Sequence, residues 1–300
     1  MATELSATGG PREDVAAVEA GLDALESRPG AERRWNARRI TIRALGILVT
    51  LAIVLALWQL ISFFKPDYVF PSPVETYQQF HDVYGWSTLA SVVWTSVHRA
   101  VIGFLISVAI ATPLGLFIWS VKPVRTFFSP ILSGLQSLPS VAWVPAAVIW
   151  FGTTEKALYM VVLLGAIPSI ANGLMSGLDN IPTLYRRAGY VLGARGWRNS
   201  RYVLLPASLP GYLSGLRQGW AFSWRSLMAA ELIAHSKALG QGLGQTLDNF
   251  RNLTSMGGIF ATIIAILFVG VVIELCIFAP VERTVLARRG LGGRTAPGTA

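Results

Sequence analysis

Few residues in this sequence could do chemistry, and most are arginines and glutamates set inside apolar stretches. The densest case is Ala207 to Ile233, which carries Arg217, Arg225 and Glu231 among Trp220, Phe222 and Trp224. A charge at the centre of a bilayer costs about 2.5–3.5 kcal/mol even on the most forgiving scale, so such groups face a bundle interior or a wet cavity and pair with something. Arg217 and Arg225 are eight residues apart and share one helix face, roughly. They are either ion-pair glue between helices or subunits, or contacts for an anion. Arg225 is the better anion candidate. At 1.5 Å per residue it lies roughly 12 Å below the outer end of its helix. Its neighbours Ser223, Trp224 and Ser226 offer hydroxyl and indole donors suited to sulfonate, sulfate or nitrate oxygens. Arginine's planar fork also matches such oxyanions better than lysine's point charge. The rival is a structural pair with Glu231, six residues on and therefore on a different helix face. Arg217 is expected near the inner end, and Arg99 is expected to be interfacial or structural.

Enzymatic chemistry finds little support. The chain has four lysines and none follows a glycine, so no Walker A loop exists to bind a nucleotide phosphate. No HExxH, GxSxG or paired-carboxylate pattern appears. His81, His98 and His235 are scattered without ligand spacing, and the single cysteine, Cys276, excludes an intramolecular disulfide and any cysteine-based metal cluster. Neither a catalytic nor a metal site is expected, and no cofactor in this chain.

The elements that must position these residues are membrane helices. Hydrophobic residues make up 53% of the 300, and charged ones only 14%. Mean hydropathy is +0.51. A soluble domain would carry about 25% charged residues. The net charge of +9 does not imply nucleic acid, because the arginines sit between apolar blocks and form no single patch. Six spans are expected: Leu45 to Phe64, Val101 to Val121, Phe127 to Thr154, Ala157 to Leu178, Ala207 to Ile233 and Gly258 to Pro280. The third is interrupted by Pro130, Pro139 and Pro145, which survive in a span only where neighbours or a cavity satisfy the freed carbonyls. Residues 1–43 read as a mobile tail and 286–300 as a second tail, leaving 44–285 as the membrane domain. With both termini inside, eighteen of the 25 Lys and Arg fall on inner segments and four on outer ones. That bias is what the positive-inside rule demands. The outer segments are 65–87, polar and proline-broken, and 234–257, with Gly240, Gly242 and Gly244 leading into a short helix at the surface.

One segment breaks the pattern. Asp179 to Pro206 lies between the fourth and fifth spans and contains Arg186, Arg187, Arg195, Arg198 and Arg201. It cannot cross. Pro182 suits a first helical turn, and Leu184, Ala188, Val191 and Leu192 fall on one face. Gly193 follows as a C-terminal stop, and a second short helix runs to Leu205, ended by Pro206. Short amphipathic helices of this kind dock into a partner's groove or lie on headgroups.

The spacing here resembles the cytoplasmic signature of permease subunits of binding-protein-dependent ABC importers. That signature runs Glu-Ala-Ala, three residues, Gly, nine residues, Ile, any residue, Leu-Pro. In this chain Arg187-Ala188-Gly189 is followed by three residues and Gly193, and nine more lead to Val203-Leu204-Leu205-Pro206. Arg187 stands where Glu is usual and Gly189 where the second Ala is usual. Phe70-Pro71-Ser72-Pro73-Val74, Leu138-Pro139, Trp143-Val144-Pro145 and Trp150-Phe151-Gly152 are similar to the sulfonate/taurine/nitrate-type branch.

The resemblance implies an all-α integral membrane protein with about six transmembrane helices and a cytoplasmic coupling helix between the fourth and fifth. It implies a permease of a type I importer in the inner membrane, paired as a homodimer with an ABC ATPase subunit and an extracytoplasmic solute-binding protein. ATP and Mg would be bound by the partner, and lipid would surround the spans. Arg187, Ala188, Gly189, Gly193, Leu205 and Pro206 would form the ATPase-coupling segment. Arg225, Ser223, Ser226 and Glu231 would line the pathway of a small anionic solute. A neutral or cationic nutrient such as a thiamine precursor is the alternative within the class. An ATP-independent secondary transporter or channel is the alternative outside it, against which stands the absence of an internal repeat.

Overall fold

A bilayer offers no water to backbone groups, so the apolar runs close into helices that satisfy themselves. The computed structural model describes residues 37–66, 69–234 and 240–288. Most of the two expected tails, with His235 and Lys237, lies outside the described residues.

The chain divides into two units, Met1–Trp58 and Gln59–Ala300. The first ends within α1 (Ala37–Phe63), which supplies the span Leu45–Phe63. In the second, α2 (Pro73–Ser120) opens on Ser72, whose hydroxyl accepts the Glu75 N–H. It leaves helical dihedrals at Gly85 and continues as the span Ser87–Ser120. Much of the expected outer segment 65–87 is therefore helix.

The third span is not one rod. It consists of α3 (Lys122–Ser137), a 3-10 turn at Ser140–Trp143 and α4 (Val144–Phe151), with a 95° bend between. The cause is local: Pro139 pushes Leu138 into an extended conformation, φ −76° and ψ 124°. Next come α5 (Glu155–Asp179) and α6 (Thr183–Val191). A turn at Trp197–Asn199 and a π-helical turn at Ser200–Leu204 lead without a break into α7 (Leu205–Ile233). Pro206, expected to end a helix, instead stands in the first turn of α7, where its missing N–H leaves no gap. The chain closes with α8 (Leu243–Asn252), α9 (Met256–Ile273), a π-helical turn at Glu274–Phe278 and α10 (Ala279–Arg288).

Among the described residues four helical stretches are long and apolar enough to cross a membrane, with the bent pair a fifth. The bonds show that the bent pair runs from one end of the bundle to the other. Arg125, in the first turn of α3, pairs with Asp179 at the end of α5, whereas Glu155, just beyond α4, is the first residue of α5 and pairs with Arg99 of α2. Those two ends of a 25-residue helix are about 36 Å apart. α7 is not apolar enough to qualify by composition, but its 29 residues run antiparallel to α5 along its length. The bundle thus has an α6 end and an α8 end.

The seam between α5 and α7 sets the core. A Cβ on Gly173 would come within 2.2 Å of the Gly215 Cα, and one on Gly177 within 2.7 Å of the Ser208 carbonyl oxygen. Gly219 is likewise filled by Ile170. Small residues every fourth position let two backbones touch, which is how helices gain packing energy where the solvent is itself apolar. Buried apolar clusters flank this seam: Leu158, Val161, Trp220 and Leu227 toward α8, and Leu174, Leu178, Leu204 and Tyr212 toward α6.

Candidate functional site

At the α6 end, a Schellman closure shapes the segment between α5 and α7. Ala194 N–H donates to the Gly189 carbonyl at 2.9 Å and Gly193 N–H to the Tyr190 carbonyl at 3.1 Å. Gly193 has φ +78° with open space around it, so glycine is needed there for its backbone, not for room. Gly189 is the opposite case: it is buried, and a Cβ on it would meet the Val203 side chain at 2.9 Å. The departure from alanine therefore seats α6 on the turn leading into α7.

The expected apolar face is uncovered. Leu184, Val191 and Leu192 are 72%, 84% and 85% exposed, on a segment too charged to enter lipid. Arg187 and Ala188 are also exposed. Leu205 packs partly into the core, and Pro206 is exposed at the start of α7. Arg186 turns inward instead. Its Nη2 donates to the Leu178 carbonyl at 2.5 Å, and its guanidinium lies 5.0 Å from the centre of the Trp119 ring. The Trp119 indole N–H donates to Asp179 Oδ1 at 2.9 Å. Arg125 grips the same carboxylate with both arms, Nη1 to Oδ1 at 3.0 Å and Nη2 to Oδ2 at 2.5 Å.

Along α7 the structure separates the expected pathway residues. Arg225 is exposed. Its Nε donates to the Ala221 carbonyl at 3.0 Å, and its guanidinium lies 4.7 Å from the Phe222 ring centre. Among the described residues no carboxylate pairs with it. Ser223 and Ser226 are fully buried. Ser226 Oγ donates to Ser140 Oγ at 2.7 Å, so the bend after α3 rests on α7 one residue from Arg225. Arg217 is held by Glu274 and Glu282, and is glue.

Glu231 must be withdrawn from the pathway set. Its side chain has no exposed surface. Arg99 Nη1 donates to Oε1 at 3.0 Å, while Ser96 Oγ at 2.8 Å and Gly244 N–H at 3.1 Å donate to Oε2. Ser96 Oγ in turn accepts the Leu243 N–H at 2.8 Å. The carboxylate is thus an anion held at the N-terminus of α8. The rival reading, Arg225 balancing Glu231, fails for the same reason. The expectation of a surface helix also needs correction. Leu243, Gln245, Thr246, Asp248 and Phe250 of α8 are buried. A Cβ on Gly242 would strike the Glu231 carboxylate at 2.4 Å, and one on Gly244 the Met228 carbonyl at 2.6 Å. Those glycines let the helix sit down on α7.

Sequence reasoning missed Asp179 and Trp119. A signal was there: one acid closes the fourth span beside five arginines, on the side expected to hold Arg125. Among the described residues no three His, Cys, Asp or Glu side chains gather closely enough to hold a metal ion.

The family described as binding-protein-dependent transport system inner membrane component matches residues 103–279. The taurine transport system permease of Escherichia coli is 31% identical over 218 residues, 69% of this chain and 77% of its own length. The nitrate import permease of Synechocystis is 28% identical over 233 residues, covering 75% and 82%. Among solved structures, the inward-facing MetNI methionine ABC transporter aligns with a TM-score of 0.55 at 21% identity, over 66% of this chain and 95% of its own.

Proposed function

This chain belongs to the family of binding-protein-dependent transport system inner membrane components, and from that premise we propose what docks on it, how it is oriented and what it carries. It is a multi-pass permease subunit of an ABC importer, a transport component whose ATP is hydrolysed by a separate subunit.

The α6 end faces the cytoplasm, and α6 is the helix received by the ATPase. The support is the uncovered apolar face on a charged segment and the match of Arg187, Ala188, Gly189, Gly193, Leu205 and Pro206 to the coupling spacing. The distribution of lysine and arginine supports placing both termini on that side. Residues 1–43 and 286–300 are cytoplasmic tails of a permease domain at 44–285. The α8 end faces the solute-binding protein. The working form is a homodimer in lipid. Ser214, Gln218 and Arg225 are exposed on α7, and a polar stripe on a membrane helix is relieved by a second copy or by a water-filled path.

The solute is a small oxyanion of the sulfonate or nitrate kind. One observation carries this: an exposed arginine, without a carboxylate partner among the described residues, stands beside the bend at Ser140. The relatives named for taurine and nitrate transport agree with it. Closure of the ATPases on ATP displaces α6 and so rearranges the spans around that arginine. The test is uptake by proteoliposomes containing the permease, its ATPase and its binding protein. Taurine or nitrate should accumulate, and a thiamine precursor should not. Arg225→Gln should cut oxyanion uptake about tenfold or more with the complex intact, the scale of one charge-assisted contact. Unchanged uptake in Arg225→Gln would remove the anion reading.

A further inference from the structure

α6 continues by chain into α5 on one side and α7 on the other, and those two are joined along the glycine seam. The bent third span is joined by chain to the far end of α5 and has no direct chain connection to α6. At the α6 end Val124 and Leu132 of α3 pack into the apolar cluster with Leu178, Ile181 and Leu204, and the directional contact is one polar cluster, in which Arg125 of α3 grips Asp179 and the Trp119 indole has Asp179 at its N–H edge and Arg186 of α6 over its face. Arg125 stands in the first turn of the 16-residue α3, so about 18 Å of rod separates that grip from the bend. Near the bend, Gln136 of α3 is bonded to Ser169 and Asn172 of α5, and beyond it Ser140 rests on Ser226, beside Arg225.

We infer that Trp119, Arg125, Asp179 and Arg186 are the linkage through which movement of α6 reaches the bent third span, with Trp119 and Asp179 acting as positioning residues. This rests on the reading of α6 as the ATPase dock. The chemistry suits a moving joint. The Arg125 and Asp179 side chains are 39% and 42% exposed, so water can replace their bonds when the joint opens, and a pair of that exposure contributes little to stability. The fork-to-carboxylate geometry nevertheless fixes direction, because two parallel bonds resist rotation as one bond does not. The cation over the indole face tolerates sliding in the ring plane. Displacement of α6 therefore drags Trp119 and Asp179 together, and with them the foot of α3.

The experiment uses the reconstituted complex with its ATPase and binding protein, carrying Asp179→Asn, Trp119→Leu or, separately, Leu192→Asp on the exposed face of α6. Co-purified ATPase, ATP hydrolysis and solute uptake are measured together. Asp179→Asn and Trp119→Leu should keep the ATPase subunit and its hydrolysis while uptake per ATP falls about tenfold, within the range of a site-to-site coupling energy. Asp179→Glu, which preserves the carboxylate, should restore most of it. Leu192→Asp should release the ATPase. If Leu192→Asp keeps the ATPase, the dock reading fails. If it releases the ATPase but Asp179→Asn transports normally per ATP, the linkage alone fails. Loss of assembly or of thermal stability in Asp179→Asn and Trp119→Leu would make the cluster merely structural and also overturn the linkage.

Discussion

At each end of the bundle an arginine meets a carboxylate, but the two pairs are built for different uses. At the α8 end, Arg99 and Glu231 have side chains 3% and 0% exposed, and both carboxylate oxygens are bonded within the protein. At the α6 end, Arg125 and Asp179 stand half in solvent. A dry pair holds its partners to one geometry, because removing either leaves a buried charge that nothing else solvates. A wet pair can part and re-form, since water substitutes for each half. The first pins α8 to α2 and α7. The second, in the linkage we infer, joins elements that shift relative to one another in transport.

The largest expected effect tests the dry pair. Glu231→Gln should cost about 3 kcal/mol by removing the buried carboxylate that faces Arg99 and loosening α8, the half-exposed Glu155 remaining beside Arg99, read as a fall in the apparent melting temperature of the purified permease. Tolerance of this change would erase the contrast between the two ends. Gly173→Val comes next. Its side chain has to enter space held by the Gly215 backbone, and overpacking of this kind costs about 1–3 kcal/mol. The same melting assay should show no such loss for Gly134→Ala, since nothing lies within 4 Å of a Cβ there. The smallest effect on stability belongs to Arg125→Gln, at most about 1 kcal/mol for a half-exposed pair. That variant should melt almost as wild type while transporting poorly, and a large melting shift would place the α6-end pair in the same class as Arg99 and Glu231.

The amino-acid pattern carried the spans well wherever it was continuous and apolar, as in Leu45–Phe63 and Glu155–Asp179. It also carried α6, because a helix stop needs only a local signal, and Gly193 with positive φ is one. It failed where the deciding partner is distant. Glu231 looked like a pathway residue because Arg99, 132 positions away, is invisible to helical spacing. Gly240, Gly242 and Gly244 are visible in the sequence, but the purpose of Gly242 and Gly244 needs the Glu231 side chain they pack against. Prolines announced trouble in the third span, yet no local rule supplies the 95° between α3 and α4. The Gly173–Gly177 and Gly211–Gly215–Gly219 ladders were legible in principle, since their spacing of four is the signature of close helix contact.

That seam bears on how force travels. Helices that touch through long side chains have a compliant layer between them, in which rotamers absorb small displacements. α5 and α7 have almost none at Gly173, Gly177, Gly211 and Gly215, where backbone meets backbone. The pair therefore behaves as a single stiff beam, with α6 slung across one end like a crank. A push on the crank tilts the whole beam and loses little of its stroke to internal give. Substituting any of those four glycines by a larger residue would do more than wedge the helices apart: it would fit a shock absorber where the machine has a weld.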